Sequence, residues 1–278
     1  MEFADEDPTV KFTTVQAPFR EIDSTAGDVL VVTDVSPQYF AEIEHERDVR
    51  RRKFRFRRYQ SDSELLVITI PTDVHEELHL QLFRQCSRQI DNMGLQNAWD
   101  FKGTTTQRSQ GHPGGDGSGE GDSSGVPVPE RGRQGAWPTL VIEAGASELL
   151  HQLREDMRWW FLASNHDVKI VILAKFDRHR DSVLLEKWEG AAHPQGILTR
   201  SRAALQQQHG LEPILRQTIT ITRDTATYPD SYSVHRGALV LSFQLLFLRY
   251  PRDGERDVVL GVEELQEYAV RVWRYLDD

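Results

Sequence analysis

A single cysteine, Cys86, is the only thiol in the 278 residues, so no internal disulfide can form. That scarcity fits a reducing compartment and an intracellular protein, cytoplasmic or nuclear. Cys86 stands in an apolar-periodic stretch and reads as a buried, inert thiol rather than a nucleophile. Long apolar runs are also missing. The longest, 238–248, is broken by Ser242 and Gln244 and is too short to span a bilayer, so no membrane association is expected. The acidic stretch 1–8 has neither the basic nor the apolar region of a signal peptide. Positive charge is in deficit: 33 Lys and Arg stand against 43 Asp and Glu, a net charge of -10. A general polyanion binder is thereby excluded, and any nucleic-acid contact has to come from a local patch. The Gly-rich tract lacks a following Lys-Ser/Thr and so is not a phosphate loop, and Gly145-Ala146-Ser147 is not a GxSxG elbow. Ser147, His151 and Asp156 lie on one expected helix and do not form a triad.

What is present suffices for one core with solvated loops, at 38% hydrophobic residues and a mean hydropathy of -0.52. Residues 1–26 read as a flexible arm and 27–278 as a single domain. The Gly/Ser-rich tract 103–135 reads as a flexible loop within it. Strand composition marks 28–35 and 65–70, and 39–50 reads as a polar helix. From Asp73, an expected N-cap, apolar residues Leu78, Leu82, Cys86 and Ile90 recur every four positions, giving an amphipathic helix to about Gly94. The clearest signal is a βαβ unit. Buried strands at 139–142 and 168–176 flank a helix with Leu149, Leu150, Leu153, Met157, Trp160 and Phe161 on one face. Continuous apolar strands joined by a helix imply parallel pairing in a covered sheet. Further strands are expected at 183–188, 214–223 and 238–250, and a helix at 262–276.

Three groups of residues carry chemistry. Glu143 ends an apolar strand, where an ionised carboxylate is costly unless it is paired or metal-bound. His75-Glu76-Glu77-Leu78-His79 is an HExxH pattern: both histidines share a helix face and suit zinc, with Glu76 as general base. A third ligand is not evident; Asp100 is at a conceivable distance. Last, the run 50–58 places Arg51, Arg52, Lys53, Arg55 and Arg57 among Phe54, Phe56 and Tyr59. Its alternation fits an edge strand with a cationic face that touches phosphates while aromatics stack on bases. The alternative is pairing with Glu42, Glu44, Glu46 and Asp48 just upstream.

The blocks WPTLVIEAGASELLHQLREDMRWW, VKIVILAKFD and LLEKWE resemble fungal restriction-endonuclease-like proteins and, more remotely, the Uma-type family, both of the PD-(D/E)XK superfamily. The upstream PTDVHEELHLQLFRQCSRQIDNMGL resembles the first core helix of those proteins, and GDSSGVPVPERG the stretch bearing their Pro-Asp. The resemblance implies an α/β fold, a mixed central sheet flanked by helices with a C-terminal strand and helix extension. It also implies Mg²⁺-dependent phosphodiester hydrolysis. Asp122 takes the Pro-Asp position, with Gly121 where proline is expected and Asp116 as a substitute. Glu143 takes the acid of the (D/E)XK element, and Glu76 or Glu77 serves as accessory acid. Asp122, Glu143 and Glu76 would hold the metal. Gly145 stands where the lysine belongs, and Lys169 on the next strand is the expected replacement. The missing lysine keeps two alternatives open, an inactive binding module of the same fold and an HExxH zinc hydrolase.

Overall fold

The computed structural model describes residues 7–103, 105–109, 116–191 and 212–276. Two mixed sheets dominate. The larger has seven strands in the order β13-β12-β11-β10-β9-β8-β5. These are β5 (Trp99–Phe101), β8 (Ser123–Pro127), β9 (Leu140–Gly145), β10 (Ile170–Asp177), β11 (Ser182–Ala191), β12 (Glu212–Asp224) and β13 (Ser231–His235). The smaller has six, in the order β1-β2-β4-β3-β7-β6. Its members are β1 (Thr9–Lys11), β2 (Val29–Thr33), β3 (Arg55–Gln60), β4 (Leu65–Thr69), β6 (Thr106–Ser109) and β7 (Gly117–Glu120). A ribbon of β14 (Leu239–Leu241) and β15 (Val258–Leu260) completes the strands. This is the mixed α/β arrangement with flanking helices that the sequence implies.

The βαβ unit forms as expected. β9 and β10 pair in parallel, with Leu173 opposite Glu143, and helix α4 (Leu150–Ala163) connects them. Alternation assigns the faces. Leu140, Ile142, Ile170 and Ile172 face a core shared with α3 (Asp73–Asn92) and the C-terminal helix α6 (Val262–Arg274). Val141, Val171 and Leu173 lie under α4, against Leu153, Met157, Trp160 and Phe161. Both faces are covered, which is why the strands read as unbroken apolar runs. The smaller sheet packs on α1 (Ala17–Ser24) and α2 (Pro37–Arg50) through Phe19, Ile22, Phe40 and Ile43. No helix among the described residues is long and apolar enough to cross a membrane.

Several expectations are corrected. The arm 1–26 contains β1 and α1 over its described part. The tract 103–135, expected as a flexible loop, supplies β6, β7 and β8, with residues 118–127 all buried. Its glycines make this possible by admitting indoles: a Cβ on Gly119 would meet the Trp159 ring at 2.5 Å, and one on Gly125 the Trp99 ring at 2.2 Å. The expected strand 238–250 is β14 followed by a short helix, α5 (Phe243–Phe247), which buries Phe243, Leu246 and Phe247. Helix α3 is capped by Thr72 rather than Asp73, the Thr72 hydroxyl accepting from the His75 amide.

Candidate metal centre

Between the two sheets lies a buried cluster of acids, histidines and arginines, assembled by three neighbouring elements. β8 pairs antiparallel with β9, Ser123 opposite Ile142. Continuing that register one step sets Asp122 opposite Glu143. The Ala144 amide donates to Asp122 Oδ2 at 2.8 Å and fixes the carboxylate on the strand edge. Helix α3 then brings His75 and His79, four residues apart and so on one face, to the same place. Both rings are fully buried, with centroids 5.4 Å apart. His75 Nε2 lies 3.2 Å from Asp122 Oδ2. His79 Nδ1 is 2.8 Å from Ser123 Oγ, while its Nε2 has no hydrogen-bond partner and lies 3.4 Å from Glu76 Oε1. One donor atom each from His75, His79 and Asp122 lie within 4.8 Å of one another.

Strand β3 supplies the cations. A bulge between Phe56 and Arg58 leaves Arg57 out of the β3–β4 register. A bulge re-aims side chains, and Arg57 is turned into the protein. Its guanidinium donates to Ala144 O at 2.8 Å and Thr69 Oγ1 at 2.9 Å, pairs with Glu148, and lies 3.5 Å from Asp122 Oδ2 and 3.6 Å from Asp156 Oδ2. Arg55 reaches Asp122 Oδ1 at 3.2 Å and Glu76 Oε2 at 2.9 Å. Arg58 pairs with Asp156 at 3.1 Å.

Burial and neighbouring charge favour opposite protonation states on the two facing carboxyls. For Asp122, burial pushes the pKa up, but the charges of His75 and Arg57 hold it well below the usual carboxylate value. For Glu143, burial and then the Asp122 charge push it well above the ordinary value, which favours its protonated form. The Trp160 indole donates to Glu143 Oε1 at 2.5 Å, and Oε2 has no partner. Burial would lower His75, yet the Asp122 charge raises it to about 9. His79 is lowered, chiefly by burial.

Of the residues expected from sequence, Asp122, Glu143 and Glu76 are brought together. Lys169 is not. It precedes β10 and its ammonium donates to His166 O at 2.6 Å. Leu173, the partner of Glu143, lies four residues further on, about 13 Å at strand rise. The lysine whose register partner is Gly145 is Lys175. Glu77 accepts from Gln81 on its own helix, and Asp116 and Asp100 are exposed. The expected cationic edge is corrected too: β3 runs between β4 and β7, and Arg55 and Arg57 point into the acid cluster instead of outward. Arg52 pairs with Asp23 on α1, while Arg51 and Lys53 remain exposed. Sequence reasoning missed Asp28, Glu148 and Asp156 as members of this network. Asp28 accepts from the amides of Ala146 and Ser147 at 2.6 and 2.9 Å, closing the turn after β9. Its only signal was an acid just ahead of an apolar strand.

The assembly defines a mixed α/β protein with a buried, histidine-containing acidic centre at the edge of its main sheet. No family model and no curated protein matches the chain. Among solved structures it is similar to a proposed nuclease belonging to DUF820 from Anabaena variabilis. The identity is 12% and the TM-score 0.32, over 52% of this chain and 82% of that one. The likeness is distant and carries no functional assignment.

Proposed function

We propose that this chain is a divalent-metal-dependent hydrolase of phosphodiester bonds, of the PD-(D/E)XK kind, with Asp122, His75 and His79 holding the metal. The observation that carries the reading is the β8–β9 register, which sets Asp122 opposite Glu143 beside the histidines of α3. The residues fit an ion that displaces the proton Asp122 holds on His75. The buried Nε2 of His79 lacks a partner while Nδ1 is tied to Ser123, the outer contact that orients a ligating imidazole. Two imidazoles and one carboxylate suit a transition ion such as Zn²⁺ better than Mg²⁺, which prefers oxygen donors. When bound, the ion would polarise a phosphate and lower the pKa of water. The chain's own groups have separate tasks. Glu143, whose carboxyl pKa is raised by burial and by Asp122, is placed to give a proton to a leaving oxygen. Arg55 and Arg57 hold Asp122 in place, and Glu76 lies beside His79.

A second reading, an inactive binding module of the same fold, is favoured by Arg57. Its buried guanidinium already balances Asp122, Glu148 and Asp156, as an ion would. Cleavage of labelled single- and double-stranded DNA and RNA, with Zn²⁺, Mn²⁺ or Mg²⁺, separates the two. The first reading predicts cleavage that falls by at least about a hundredfold in Asp122→Asn, the order expected when a group stabilising the transition state is removed. Equal inactivity of wild type and Asp122→Asn with all three ions supports the second.

A further inference from the structure

A cleft of about 890 Å³ opens at the carboxyl ends of β9 and β10, with Asp28 and Ser147 in its lining. Crevices at the ends of parallel strands are where open α/β sheets take ligands. The volume lies within the range of small-molecule sites and is far more than an inorganic anion fills. Its walls include Val74, Leu149, Leu150 and Leu184.

The charges lining it are unequally satisfied. Asp28 accepts from three backbone amides, those of Ala146, Ser147 and Glu148, and from the Ser147 hydroxyl. Asp177 accepts from the amides of His179 and Arg180 in the β10–β11 turn. The acids are therefore engaged internally. Of the cations, Arg180 pairs with Asp177 at 3.6 Å, but Lys175 and Arg178 pair with no acid among the described residues. Lys175 is largely buried, yet its ammonium donates only to the neutral carbonyls of Ala146 and Phe176, at 2.8 and 2.5 Å. An ammonium has three donors, so one remains. Among the described residues, no carboxylate lies within ion-pair distance of Lys175 or of the exposed Arg178. Helix α4 also begins at the cleft. Leu149 occupies its N-cap, gives no side-chain cap, and no acid stands in the first turn. The Gln152 and Leu153 amides donate to Leu149 O, which leaves those of Leu150 and His151 for an acceptor.

We propose that this cleft binds a phosphomonoester of nucleotide size, its phosphate held by Lys175, Arg178 and the first turn of α4 and its ring against the leucine walls. The proposal does not rest on the hydrolase reading, since the cleft uses other side chains and binding is read without turnover. The phosphate completes the cations that the protein leaves open. The apolar wall gives a nucleoside body the burial that free phosphate lacks.

The test is calorimetric titration of the full chain, with chelator present, by AMP, UMP, adenosine and inorganic phosphate. AMP or UMP binds saturably, and both adenosine and phosphate bind at least about tenfold more weakly. Arg178→Ala, at an exposed position, and Lys175→Gln each weaken nucleotide binding about tenfold, the size of one lost charge-assisted bond. Absence of saturable nucleotide binding overturns the proposal. So does adenosine binding as tightly as AMP, phosphate binding as tightly as AMP, or affinity unchanged in Arg178→Ala. Arg178→Ala keeps the test decisive if Lys175→Gln does not fold.

Discussion

Arg57 shows how one backbone irregularity decides the character of a site. The alternation of the basic run suggests a surface stripe, but the bulge puts Arg57 between Asp122, Glu148 and Asp156. Removing one partner of a buried ionic network strands the rest. Arg57→Met should therefore cost about 3–5 kcal/mol in urea denaturation. If the acids prefer a cation of any kind, Zn²⁺ or Mn²⁺ should restore part of that loss. The facing carboxyls should respond unequally. Glu143→Gln should change stability by less than about 1 kcal/mol, because the native group favours its protonated form and amide for acid is nearly isosteric. Asp122→Asn should cost several times more, because it leaves Arg55, Arg57 and His75 short of an anion. Asp7 carries a pH signature. Burial, then the charge of Asp28, raises its pKa from 3.8 to about 6. The native state thus holds this proton more tightly than the unfolded chain. Its contribution is fully present below about 4 and is lost as pH rises through about 6. Asp7→Asn should flatten that decline in melting temperature and raise stability at neutral pH by about 1 kcal/mol, after discounting for solvent screening.

At the level of elements, what repeats in the chain was legible and what depends on distant packing was not. The period of α3 and the paired apolar runs of β9 and β10 mark both helix and strands, and the HExxH spacing puts His75 and His79 on one face, but the spacing does not show that both are buried, as they are. Only the family resemblance joins Asp122 and Glu143 as ligands of one site; the β8–β9 register, continued one step, brings them face to face. The third donor for the histidines was hidden because it follows on another element, in the turn between β7 and β8. Lys169 stands just before the next strand, β10, but its place relative to Glu143 is not readable without the register. Strands β7 and β8 escaped notice because their glycines look like a linker until Trp159 and Trp99 are laid on them. Gly125 has no positive φ, so space alone should decide its substitution. Gly125→Ala should destabilise by about 1–3 kcal/mol through the clash with Trp99. A double-mutant cycle with Trp99→Leu should recover part of that loss, whereas strict additivity would show that the indole is not the obstacle.

On the scale of the whole molecule, the centre is a joint. The smaller sheet contributes Arg55 and Arg57, the larger Glu143 and the neighbouring Asp122, and α3 the histidines. A group that binds here ties the layers together, so metal binding and folding should be linked. The most direct test of the metal centre is therefore a metal titration read by both elemental analysis and thermal unfolding, on wild type, His79→Ala and Asp122→Ala after chelation. The account predicts about one Zn²⁺ or Mn²⁺ per wild-type chain, and a stability gain near 2.7 kcal/mol at a hundredfold excess over Kd. Both effects should be lost in the two variants. A wild type that binds no ion, with a melting temperature indifferent to metal while both variants still fold, would contradict it and leave Arg57 as the cation of the site.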